Sequence, residues 1–323
     1  MNVYQNLEVL KNPSFSAYLA EAEEQKEKIS AIIFNKDKIL DFNREYEIFD
    51  EENLDYIMRA IEEILCDEGY ISLCCAMYLF MKKDISLSEL KPPEDGSLKS
   101  EFALMPPLIA NASEFCEDAR NRGVDKNILS TTLKAVNGYL KSNMKRKGRI
   151  GTSGYHFWLP RYAKGKLFRI GVFQFELRTF KGEEAIGVHI PNGTKLDVGE
   201  NLENFYRALE FFNKYYSEYD FKGFVCESWL LNPHIETIMG RQTNITRFGD
   251  MFDRFEIDEE DDGVYGCVFK VSKPKSIDEL CEETSLQRNI KKFIKEGNRF
   301  KDYGGFISLN KLEEIKNHVK KYS

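Results

Sequence analysis

A chain of 323 residues with 46 Lys and Arg against 53 Asp and Glu has a formal charge of −7, a balance that does not suit a nucleic-acid binder. With 42% hydrophobic residues, 31% charged and only 9 Pro, the composition excludes disorder, and the length suits about two domains. The seven cysteines follow no framework spacing, so reduced thiols and a cytoplasmic location are expected, and the start MNVYQNLEVLKN lacks the basic-then-apolar pattern of a secretory signal.

The first part of the chain reads as helices. Leu54, Ile57, Met58, Ile61 and Leu65 recur on one helical face, with Glu51, Glu52, Asp55, Glu62 and Glu63 opposite. The apolar run from Tyr70 to Met81 is too short to span a membrane and is expected to be a buried core helix. Lys91 to Ser97, with Pro92, Pro93 and Gly96, must be a loop. Two further helices are expected, Phe102 to about Cys116 and Lys126 to Met144, before a Gly-rich connector that ends at Gly154. From Lys126 to Phe175 there is no Asp or Glu but there are eleven cations, among them Lys141, Lys145, Arg146, Lys147 and Arg149. This basic segment reads either as a cationic seam facing the acidic helices or as an anion site, with no recognisable RNA-binding motif.

The hydrophobic period then changes from 3.6 to 2. Lys166 to Phe180 alternates as one long strand with Arg169 the lone cation on an apolar face, where Glu176, Glu184 or a bound phosphate would have to serve it. A turn at Lys181 to Glu184 and a strand from Ala185 to Ile190 complete a hairpin. An amphipathic helix through Leu202, Phe205, Leu209 and Phe212 leads to a strand from Gly223 to Leu231, then a helix around His234 to Met239. Asp262-Gly263 lies between Asp253–Asp258 and Val264–Val271, which reads as a second hairpin. Helices are expected over Leu286 to Lys295 and Leu309 to Lys320. A strand–helix–strand unit from Ala185 to Leu231 flanked by hairpins requires a mixed sheet.

Metal chemistry finds no support. No His has a second His at i+4, no C-x-x-C occurs, and the calcium-like Asp258-x-Glu260-x-Asp262-Gly263 has Phe269 where a bidentate Glu belongs. His189 precedes Pro191-Asn192-Gly193 at the carboxyl end of its strand, a position for a general base, and Cys226 lies on the strand after the crossover helix with Ser228 on its face. Cys226 is open to two readings, packing or a thiolate nucleophile in a transferase or hydrolase. Trp158 and Trp229 are expected in the core, with an acceptor pocket as the alternative.

Five local sequences occur in order: Gly165-Lys-Leu-Phe-Arg-Ile-Gly-Val-Phe-Gln-Phe-Glu-Leu177, Val188-His-Ile-Pro-Asn-Gly193, Cys226-Glu-Ser-Trp-Leu-Leu-Asn-Pro233, Thr243-Asn-Ile-Thr-Arg-Phe248 and Thr284-Ser-Leu-Gln-Arg288. Together they resemble the bacterial acyltransferase family that joins a helical N-terminal domain to a GNAT-like C-terminal domain. The resemblance implies an α+β fold, with residues 1–123 helical and residues 124–323 a GNAT-like mixed, mostly antiparallel sheet flanked by helices. It implies acyl transfer from acyl-CoA or acetyl-CoA to a small-molecule or peptide amine by direct attack, with no nucleic-acid or membrane partner. His189 would be the base, Cys226 or Ser228 the proton donor to the departing thiolate, and Ile190, Asn192, Gly193 and Thr194, with Arg169, the cofactor-binding residues. One feature departs from the family: Asp197, Glu200 and Glu203 surround the next helix start, where a glycine-rich loop would meet phosphate. A ligand-binding protein without turnover on the same scaffold is therefore the alternative.

Overall fold

The computed structural model describes residues 13–322, apart from 85–86, 88–89, 91, 93–94, 258–262 and 272–273. Within this span the chain divides into two compact units, one ending at Phe168 and the other running from Arg169.

The first unit is helical: α1 (Pro13–Glu24), α2 (Lys26–Ile33), α3 (Lys36–Tyr46), α4 (Glu51–Leu65), α5 (Glu68–Lys82), α6 (Leu98–Phe102), α7 (Met105–Asn121) and α8 (Lys126–Lys147). Asp50 and Asp67 start α4 and α5 as side-chain caps, accepting from Asn53 N–H and from Gly69 and Tyr70 N–H. α5 is the core helix, buried from Ser72 to Met81. Among the described residues no single helix is long and apolar enough to cross a membrane. α8 packs inside this unit. Leu133 and Val136 line a small apolar hollow with Phe42, Phe49, Leu108 and Tyr162, and Ser130 Oγ donates to the carbonyl of Tyr46.

The cations of the acid-free segment meet acids of the same unit: Lys134 with Glu47, Lys141 with Asp50, Arg149 with Glu101, and Lys164 and Lys166 with Asp84. The Lys141 ammonium beside Asp50 holds that carboxyl below its usual range. The seam reading therefore accounts for these five; the side chains of Lys145, Arg146 and Lys147 lie outside the described set.

The second unit is built on a sheet ordered β1-β2-β3-β4-β6-β5, from β1 (Leu167–Ile170), β2 (Phe173–Phe180), β3 (Glu183–His189), β4 (Gly223–Ser228), β5 (Asp253–Glu256) and β6 (Tyr303–Ser308). β2–β3, β4–β6 and β5–β6 are antiparallel and β3–β4 is parallel, so the sheet is mixed as the strand–helix–strand unit demanded. The single long strand expected from Lys166 to Phe180 breaks at Gly171, whose φ of +61° no strand residue adopts. Asn204 Oδ1 accepts from Val172 N–H in the bend.

The expected hairpin at Asp262-Gly263 is corrected. Its tip lies outside the described residues, but β5 pairs with β6, and Tyr265–Phe269 is a π-type helical turn, not a strand. Val264 and Phe269 turn into a cluster with Ile235, Leu280, Ile290 and Phe300, against which Trp229 packs. The remaining helices are α9 (Val198–Tyr215) between β3 and β4, α10 (Ile235–Met239), α11 (Asn244–Asp250), α12 (Ser285–Lys295) and α13 (Leu309–Tyr322). Phe205 of α9 and Phe248 of α11 press on one sheet face through rings of Phe173, Phe175 and Phe224, with centroids 4.8–5.9 Å apart.

Candidate active site

The site grows from strand register. The tight turn at Lys181-Gly182 pairs Phe180 with Glu183, and this fixes Glu176 opposite Gly187 and Gln174 opposite His189. Side chains alternate, so Gln174, Glu176, Arg178, Gly187 and His189 share one face, and Phe173, Phe175, Ile186 and Val188 take the other, under α9. The parallel ladder between β3 and β4 has two rungs, Ile186↔Phe224 and Gly187↔Val225. β3 runs on to His189 and β4 to Ser228, so the strands end beyond their last rung, and a wedge opens between their carboxyl ends.

His189 stands at the mouth of that wedge. Its Nε2 lies 2.8 Å from Glu176 Oε2, with side-chain exposures of 18% and 12%. An imidazole that donates from Nε2 to a carboxylate keeps its lone pair on Nδ1. The contact with Glu176 orients the ring. Beside it Arg178 makes a two-pronged pair with Glu227, both contacts 3.1 Å, and so ties β2 to β4 across β3. The crossing needs Gly187, because a Cβ there would stand 2.8 Å from Arg178 Cδ.

The segment after His189 forms a turn in which Thr194 donates from both its amide and its hydroxyl to the carbonyl of Pro191. Gly193 adopts φ +81° and, with Asn192, is exposed; Ile190 and Thr194 are half-buried. α9 then starts with Asp197 as its cap, Oδ1 accepting from Glu200 N–H at 3.1 Å. Its positive end already has a carboxylate. Arg169 lies half-buried on β1, and Glu184 accepts from the amide of Asp220.

Cys226 is not brought to this base. It faces α9, on the opposite side of the sheet from His189, is 1% exposed, and burial pushes its thiol up to about 12. Such a thiol is a poor nucleophile and a poor acid toward a departing thiolate near neutral pH. Iodoacetamide at pH 8 is expected to label the exposed Cys66 and Cys267 in the folded protein and to leave Cys226 unmodified; stoichiometric labelling of Cys226, read by peptide mass spectrometry, would contradict its placement. Ser228 ends β4, half-buried, and its Oγ accepts from Leu230 N–H at 3.2 Å, which caps the Trp229–Leu231 turn. Among the described residues no group of three His, Cys, Asp or Glu is placed to hold a metal ion.

Sequence reasoning missed Glu176 as the partner of His189, although the turn at Lys181-Gly182 alone would have set the register. It also missed the Arg178–Glu227 pair and the fully buried Asn201, whose Oδ1 and Nδ2 have no hydrogen-bond partner among the described residues. An enclosed amide left unpaired costs about 1–3 kcal/mol, so it needs an explanation.

The model of the GNAT-like C-terminal domain family matches residues 167–307. A search of curated proteins gives no match. Among solved structures, an acyltransferase in complex with decanoyl-CoA and teicoplanin is 22% identical, over 83% of this chain and 87% of that one, with a TM-score of 0.73. An acyltransferase mutant in complex with octanoyl-CoA is 20% identical over 84% and 88%, with a TM-score of 0.74. A third, in complex with CoA and 10C-teicoplanin, is 21% identical over 83% and 87%, with a TM-score of 0.73. The chain thus has the fold of these proteins over most of its length, and its residues 167–307 match the GNAT-like C-terminal domain family.

Proposed function

We propose that the protein is an acyltransferase that moves an acyl group from an acyl-CoA thioester to the amine of a small-molecule or peptide acceptor. The observation that supports this most is the His189–Glu176 pair at the mouth of the wedge between β3 and β4. The neutral amine attacks the thioester carbonyl, a C–N bond forms and the C–S bond breaks. His189 takes the amine proton, and the thiolate leaves to be protonated as free CoA. Ser228 keeps a hydroxyl proton while accepting from Leu230 and is the candidate donor to that thiolate. Glu176 orients the imidazole. The amides of Ile190 to Thr194 suit the arm of the donor. The solved relatives' CoA, octanoyl-CoA and decanoyl-CoA indicate the donor class, and their teicoplanin complexes indicate an amine-bearing acceptor of small-molecule size.

Titration with decanoyl-CoA and acetyl-CoA tests the donor: saturable binding below millimolar concentration is expected for at least one, and no heat or thermal shift with either would overturn the reading. The acidic start of α9 bears on the same measurement. Asp197→Ser keeps a capping oxygen but removes a charge where a diphosphate approaches, so the KM for acyl-CoA is expected to fall roughly fivefold, about 1 kcal/mol, with little change in melting temperature. An unchanged KM would place the diphosphate elsewhere.

A further inference from the structure

Asn201 is in the first turn of α9, and on that helix Asn201, Phe205, Ala208 and Phe212 form one stripe at i, i+4, i+7 and i+11, all fully buried against the sheet. A helix that joins two parallel strands must run back along them, so its first turn lies over their carboxyl ends. Ring contacts fix the height: Phe205 meets Phe224, the residue in the penultimate rung of the β3–β4 ladder, at 4.8 Å. One helical turn toward the N-terminus is about 5.4 Å, or roughly two strand residues, which brings Asn201 level with Cys226 and Val188, just past the last rung.

We propose that Asn201 reads an amide of the pantetheine arm of the donor thioester where β3 and β4 part. This deepens the acyltransferase reading and rests on it. A pantetheine amide offers one N–H and one carbonyl, and the Asn side chain offers the complementary pair, both without a partner among the described residues. The neighbouring polar side chains are otherwise committed: Asn204 donates to the Glu200 carbonyl and accepts from Val172, Asp197 caps the helix, and Ser228 caps the next turn. Asn201 is enclosed, so the arm must part the strand ends to reach it. The ladder ends at Gly187 and Val225 and offers no rung there to break. The donor would then enter on the α9 side of the wedge and the amine on the His189 side, with the thioester carbonyl between them.

The test is direct binding of decanoyl-CoA and of S-decanoylpantetheine, which lacks the nucleotide and diphosphate, to the wild type and to Asn201→Leu and Asn201→Ala. Each variant is expected to lose about tenfold in affinity for both donors. Asn201→Leu should melt at or above the wild-type temperature, because an unpaired buried amide is removed. Should Asn201→Leu fail to fold, Asn201→Ala answers the same question. A wild type that binds while a folded variant binds equally well overturns the assignment and leaves the acyltransferase reading standing. A loss confined to decanoyl-CoA also overturns it, since the contact would then be to the nucleotide. A wild type that binds neither donor overturns the acyltransferase reading and the assignment with it.

Discussion

His189→Ala is expected to lower kcat for acyl transfer by about 10² to 10⁴-fold while leaving donor affinity within about twofold of the wild type. The imidazole is 18% exposed and at the end of its strand, so its removal opens no core cavity, and the melting temperature should hold. Glu176→Gln preserves shape and a hydrogen-bond acceptor but removes the carboxylate that orients the ring. A loss of about 10 to 100-fold in kcat is expected there, the range for groups that orient a functional His. The two effects should not add, because both act through one imidazole. Rate assays under donor saturation, with the double variant alongside, check this. An Ala variant that retains a third or more of wild-type kcat would remove His189 from the chemistry.

Gly223→Ala is expected to be the most damaging small substitution in the second unit. A Cβ there would stand 2.2 Å from the carbonyl oxygen of Ile307, a backbone atom of β6 that cannot rotate away, and 2.8 Å from the Phe306 ring. β4 and β6 pair from Gly223↔Ser308 to Ser228↔Tyr303, so pushing them apart disturbs the central ladder. Overpacking of this kind costs about 3 kcal/mol, which for a unit of this size lowers the melting temperature by roughly 6–12 °C. Gly193→Ala serves as the contrast: its Cβ would meet nothing within 4 Å, so only the φ of +81° penalises it. Calorimetry on both variants separates the effects, and a Gly223→Ala melting point within 2 °C of the wild type would contradict the close packing described.

The motifs that made the C-terminal half recognisable turn out to be mostly structural punctuation, which explains why they are legible in a sequence. Thr284 and Gln287 form a capping box at the start of α12, and Gln287 also donates to the carbonyl of Val268. Thr243 caps α11, and Asn232 Nδ2 donates to the carbonyl of Lys301 while Oδ1 accepts from His234 N–H. Such short-range devices leave strong local signals. Of the five motifs, three reach the proposed chemistry, through Glu176, His189 and Ser228.

What was not legible depends on contacts between distant residues. β6 has no expectation in the sequence, because the two glycines of Tyr303-Gly-Gly-Phe306 are turn signals and not strand signals. It is an inner strand because the Phe255 ring lies over Gly304 on one face and Phe252 and Leu231 crowd Gly305 on the other. Two glycines there leave room for neighbours 50 residues away in sequence. The false hairpin near Asp262 has the same origin, since β5 found its partner in β6. The orphaned amide of Asn201 is likewise invisible in a sequence, where it reads as one more polar residue near a helix start.

Amine-dependent turnover tests the central claim most directly. Wild-type protein is incubated with octanoyl-CoA or decanoyl-CoA and a panel of small-molecule and peptide amines, with free thiol followed by colour and products by mass spectrometry. The account predicts thiol release that rises with acceptor concentration, one acyl-amide formed for each thiol released, and loss of both in His189→Ala. Thiol release that does not depend on any amine, or that persists undiminished in His189→Ala, would contradict it.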